Sequence, residues 1–133
     1  MTLSDLNKYG SAFQIKVIHS LLDRKEFLIN IHDILDSSYF DNQAHKWIID
    51  NILKYYNEYH TTPTPEVLKS EYEKVTNDVL KLSIREQLRD AYKIVSTDSE
   101  YIQAEFSAFC KNQQLKKALL GSVDLLKAED YDS

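Results

Sequence analysis

Residues 41–59 read Asp41-Asn42-Gln43-Ala44-His45-Lys46-Trp47-Ile48-Ile49-Asp50-Asn51-Ile52-Leu53-Lys54-Tyr55-Tyr56-Asn57-Glu58-Tyr59, and this stretch decides the fold class. Ala44, Ile48, Ile52, Tyr55 and Tyr59 recur at intervals of three and four, the period of one helix face. Trp47, Ile49, Leu53 and Tyr56 widen that face to more than half the girth. The pattern predicts a helix over 42–59, capped by Asp41 and central in the packing. Its end is as clear as its body. His60-Thr-Thr-Pro63-Thr-Pro65 cannot continue a helix, whereas Thr64 can cap a new one and Pro65 suits its first position.

The rest of the chain repeats this pattern. Phe13, Val17, Leu21 and Leu22 predict a helix near 10–23, after a loose start at 1–9. Phe27, Ile31, Ile34 and Leu35 share one face of a second short helix, which Asp36-Ser37-Ser38 breaks. Val67, Leu68, Tyr72 and Val75 mark the helix that Thr64 and Pro65 begin. Val79, Leu80, Ile84, Leu88, Ala91, Tyr92 and Val95 mark another near 78–95. After the polar cluster 96–100, Ile102, Phe106, Phe109, Leu115, Leu119, Val123 and Leu126 predict a last helix of about 28 residues, or about 42 Å. Lys111-Asn112-Gln113-Gln114 is its polar interruption, and Gly121 weakens it locally. A helix so long projects from a small domain and packs on another chain or another segment. The expectation is an all-α bundle of five to six helices, with a globular part over 1–96 and the long helix over 97–133.

Composition agrees. The chain has 133 residues, one domain's worth, with only two Gly and two Pro. Together these make up about 3% of the chain, against a usual share of roughly 12%. So few turn residues exclude small β-sandwiches and propellers. Gly10 and Gly121 stand too far apart for the GxxxxGK[ST] loop that cradles phosphates. Sixteen basic and 21 acidic residues leave a net charge of −5, which argues against strong unaided binding to nucleic acid. The closest basic cluster, Lys111 with Lys116 and Lys117, reads as a solvated face. Cys110 is the only cysteine, so neither a disulfide framework nor a cysteine zinc site is expected, and beside Phe109 it reads as a small buried hydrophobe. Met1 is followed by polar residues rather than a signal-peptide pattern. Apolar runs stop at about three residues, too short to span a membrane.

Candidate chemistry is sparse. No pair among His19, His32, His45 and His60 has metal-ligand spacing on a helix, and no HExxH or GxSxG occurs. Asp41 and His45, four apart, read as a local pair. Catalysis would need perturbed carboxylates around His45. Tyr55, Tyr56 and Tyr59 read mostly as core or rim, and an exposed Tyr among them is a candidate partner contact, because Tyr is enriched at interfaces. From chemistry alone the chain reads as a helical interaction module, with no catalytic, cofactor-binding or metal-binding residues to assign.

The run Phe40-Asp-Asn-Gln-Ala-His45-Lys46-Trp47-Ile48-Ile49, continued by Ile52 and Tyr55, resembles the N-terminal domain of DnaB-type replicative DNA helicases, phage members in particular. That family shows an aromatic, four variable residues, His, a basic residue, and then Ile with a large apolar residue on the central helix. Val17 through Leu35 looks like its first two helices. Tyr56 through Pro65 is similar to what phage members carry next. Phe106 through Leu126 looks like the first arm of the helical hairpin that ends the domain. The likeness covers roughly residues 12–128. It implies a collar on a hexameric ring that assembles subunits and docks the primase or a helicase loader during DNA replication. It also implies that the hairpin's second arm, a linker helix and a RecA-like motor follow residue 133, so that this chain is a fragment with no enzymatic activity of its own. ATP, magnesium and most contact with DNA would belong to that motor, in the cytoplasm of a bacterial cell or phage-infected host. Leu115, Leu119, Val123 and Leu126, with Tyr55 and Tyr59, are then the expected interface for self-association or partner docking. Phe40, His45, Trp47, Ile48 and Ile52 are the structural motif. The alternative is a freestanding helical adaptor, such as a phage helicase loader or a transcription regulator.

Overall fold

A computed structural model describes residues 6–95 and 97–132, with side chains as far as Gly121. Among the described residues there are six α-helices and no strand: α1 (Ser11–Asp23), α2 (Lys25–Ile31), α3 (Gln43–Tyr59), α4 (Pro65–Glu73), α5 (Asp78–Lys93) and α6 (Ser99–Asp132). Two 3₁₀ turns, Leu6–Tyr9 and Ser37–Tyr39, precede α1 and α3. The all-α bundle expected from the spacing is what forms. α6 is 34 residues long, longer than the pattern indicated.

The caps explain where the helices begin and end. Asn42, not Asp41, caps α3: its Oδ1 accepts from the Ala44 and His45 N–H groups at 2.8 and 3.3 Å. Asp41 instead accepts a hydrogen bond from the Asn7 side chain. Thr64 and Asn77 cap α4 and α5 through Val67 N–H and Leu80 N–H, and Pro65 opens α4 as expected. α3 closes at His60, which takes the left-handed conformation (φ 58°) usual for Gly at a helix end. α2 stops at Ile31 rather than near Leu35. The N–H groups of Ile34 and Leu35 both bond Ile31 O at 3.0 and 2.9 Å, closing a tight turn that still sends Leu35 into the core.

The hub of the bundle is α1 rather than the expected α3. α1 packs against α2, α3, α5 and α6, whereas α3 packs chiefly against α5, α1 and the second 3₁₀ turn. Val17, Ile18 and Leu21 of α1 are fully buried, as are Ile48, Ile49 and Ile52 of α3. The first turns of α6 belong to this core. Phe106 is fully buried, with Phe27, Phe40 and Phe109 rings 5.9–6.4 Å from its centroid. The Phe27 ring stands edge-on, the Phe40 ring is tilted and the Phe109 ring is stacked, and such pairs add to simple area burial. The start of the chain is not loose from residue 6 onward, because Leu6 is buried in the same cluster. Cys110 is buried as expected, and burial pushes its thiol up to about 12.

Candidate interaction surfaces

His45 lies under the junction of α1, α3 and α5. Its Nε2 is 2.7 Å from Gln87 Oε1 and its Nδ1 is 3.3 Å from Gln14 Oε1. Both ring nitrogens face amide oxygens, and a neutral ring has one N–H to give, so it donates to the nearer, Gln87 Oε1; the local pair with Asp41 does not form. Phe40 stands edge-on to the ring at 6.0 Å. Gln14 Nε2 donates onward to Asn7 Oδ1 at 3.4 Å. Burial holds the His45 pKa below its ordinary value, against the opposing pull of the Gln87 hydrogen bond. The ring is thus a neutral buried group that bonds α3 to α5 and lies against Gln14 of α1, flanked by amides rather than carboxylates. The other motif residues serve the same core: Phe40, Ile48 and Ile52 are fully buried, and Trp47 packs half-buried at the edge.

The middle of α6 is clamped to the body by the residues that read as its polar interruption and basic cluster. Gln114 Nε2 donates to Tyr39 Oη at 3.0 Å, and Tyr39 Oη donates to Ile34 O at 3.1 Å. One turn on, Lys117 Nζ lies 3.0 Å from Asp36 Oδ2 and 5.0 Å above the Tyr39 ring. Burial raises the Asp36 pKa. The Ser38 N–H and the Lys117 ammonium outweigh it and hold the carboxyl below its usual range. The Asp36 hydrogen bond likewise raises Lys117. Lys117 is thus a docking residue, while Lys111 and Lys116 face solvent.

Beside and beyond these contacts α6 turns apolar and open. Leu115 and Leu119 are each 59% exposed and Leu120 is 51% exposed. A helix that presents leucines to water over consecutive turns is an interface candidate. The expected positions Val123 and Leu126 lie outside the residues whose side chains are described. The exposed tyrosines belong to a second surface. Tyr55 is half-buried and Tyr59 is 56% exposed. Their rings stand 4.6 Å apart and line a cleft of about 490 Å³ between α3 and α4. The sequence grouped these tyrosines with the α6 leucines, but the structure gives them a cleft of their own.

The pattern did not point to α4 as a surface. Leu68 is its only buried residue. A second cleft, of about 530 Å³, separates α4 from α5. The one available signal was the shortness of the apolar face on this helix.

Among the described residues no three His, Cys, Asp or Glu side chains gather where they could hold a metal ion. None of the described helices is long and apolar enough to cross a membrane. No protein-family model, curated protein or solved structure gives a significant match to the chain.

Proposed function

We propose that the chain is the N-terminal collar domain of a DnaB-type hexameric replicative helicase, acting in subunit assembly and in docking of the primase or a helicase loader. The carrying observation is the solvent-facing Leu115–Leu119–Leu120 surface on a helix that Gln114 and Lys117 join to the body. A rigid helix that leaves leucines in water is built to receive another helix. The positions of Phe40, His45, Ile48 and Ile52 support the family likeness, since each is buried in the core. The sequence carries no GxxxxGK[ST] phosphate loop. In this reading ATP, magnesium and strand translocation belong to a motor domain beyond these residues, which contacts DNA in the cytoplasm of a bacterial or phage-infected cell.

Two tests separate this from a freestanding adaptor. The gene should run on past the Ser133 codon into a GxxxxGK[ST] motif; a stop codon there favours the adaptor. The chain alone should show no ATP turnover with single-stranded DNA, and turnover would overthrow the assignment to a separate motor.

A further inference from the structure

The two clefts beside α4 differ in charge. The cleft toward α3 is rimmed by Lys54, Glu58 and Glu71. The cleft toward α5 has an apolar floor that includes Leu68, Tyr72, Leu88 and Tyr92, and its rim sets Lys69, Lys81 and Arg85 against Glu73, with the Glu66 carboxylate near Tyr92. Three cations thus face two carboxylates, in a chain whose net charge is −5. Among the described residues, the only ion pair across that rim is the 3.8 Å contact from Lys81 to Glu73. The same ammonium lies 5.0 Å over the Tyr72 ring. Lys69 and Arg85 are exposed and have no ion-pair partner among the described residues.

We propose that the α4–α5 groove docks an acidic amphipathic helix of a partner protein. Its apolar face would rest on Tyr72, Leu88 and Tyr92, and its carboxylates would meet Lys69, Lys81 and Arg85. A groove between two helices is the usual seat for such a segment. The rim charge selects an acidic one, since complementary charge sets partner choice and encounter rate. α4 itself supports this, because a helix held by one buried leucine has little cover of its own on that side. Tyrosines among cations also resemble a seat for single-stranded nucleic acid. The protein segment is favoured because the floor includes two leucines, Lys81 already covers one tyrosine ring, and the whole chain is acidic. The inference rests on the proposed function only in that the domain docks a partner. It uses a surface separate from the α6 leucines.

The test is fluorescence anisotropy with a labelled synthetic peptide of about 18 residues, five helical turns, bearing Leu at helical spacing and Glu elsewhere. Its twin carries Lys for Glu, and a third probe is oligo-dT. The acidic peptide should bind, with amide NMR shifts clustered on α4 and α5, and the Lys twin should bind about tenfold more weakly or worse. Lys69→Glu with Arg85→Glu should cost at least about tenfold in affinity without moving the melting temperature, because both side chains are exposed. Failure of the acidic peptide to bind, equal binding of the two peptides, or tighter binding of oligo-dT would overturn the proposal. Leu119→Asp should leave peptide binding unchanged. Lost peptide binding with intact self-association would defeat this inference alone, and the reverse result would defeat the collar reading alone.

Discussion

Replacing His45 with leucine tests how α3 is tied to α5. A neutral ring donates to one amide oxygen, Gln87 Oε1, so Gln14 Oε1 loses no donor when the ring is removed. Gln87 is half-buried and can turn to water, so losing the 2.7 Å contact costs only the net value of a hydrogen bond, about 0.5–1.5 kcal/mol. Leucine refills much of the ring volume, so no large cavity term is added. The expected destabilisation is about 0.5–1.5 kcal/mol at pH 7, read from urea unfolding. Its pH dependence is the sharper part. The native pKa of His45 lies below the ordinary value of 6.5. On acidification the unfolded chain therefore takes up the proton first, and wild-type stability drains away as pH falls below about 6.5. His45→Leu lacks that loss, while all other titrating groups are shared by the two proteins. The stability gap should therefore narrow from pH 7 to pH 5. A gap that widens toward pH 5 would mean that the native ring holds a proton, refuting the assignment of a neutral tie.

Three further changes probe the scaffold. Phe106→Ala removes the ring at the centre of the aromatic cluster and should cost about 3–5 kcal/mol in chemical denaturation; a loss under about 1 kcal/mol would show that α6 is not part of the core. Gly10 precedes α1 at φ 85°, and a Cβ added there would meet nothing within 4 Å, so Gly10→Ala should destabilise by backbone strain alone, about 1–3 kcal/mol by calorimetry. Asp36→Asn keeps an acceptor for the Ser38 N–H but loses the Lys117 ion pair. Both partners are partly exposed, so the effect should stay below about 1 kcal/mol and shrink in high salt. The wild-type share of this pair should persist above the ordinary carboxylate range and fade as pH drops through it, because the native Asp36 pKa is lowered.

The local parts of the fold were legible in the sequence and the non-local parts were not. The 3.6-residue period of Ala44 through Tyr59, the Thr64–Pro65 start and the His60 break are written in neighbouring residues, and they place α3 and α4 to within a residue or so. The identity of the α3 cap was not readable. Asp41 and Asn42 are both good caps, and the choice turns on Asn7, which meets Asp41 from 34 residues upstream. His45 was visible as a residue on the main helix, but its partners come from 31 residues before it and 42 after it. No local spacing carries that information. The polar run at 111–114 and Lys117 suggested solvent, because their docking partners Tyr39 and Asp36 lie 75 and 81 residues away. Leu115 and Leu119 were legible as an apolar face, and the structure adds that this face is open.

Assembly through α6 is tested most directly by sedimentation equilibrium of the chain and of Leu119→Asp. Burying a leucine fully is worth about 1.5–3 kcal/mol, so one that is 59% exposed has roughly half of that still to gain. Association through the stripe should give a mass that rises with concentration. A symmetric pair loses that gain twice in the variant, so Leu119→Asp should weaken association by at least about tenfold. Its melting temperature when monomeric should stay unchanged, since the side chain is exposed. A wild-type chain that stays strictly monomeric up to about 1 mM, where affinities near 4 kcal/mol would register, contradicts a role in assembly, as does association that Leu119→Asp leaves untouched.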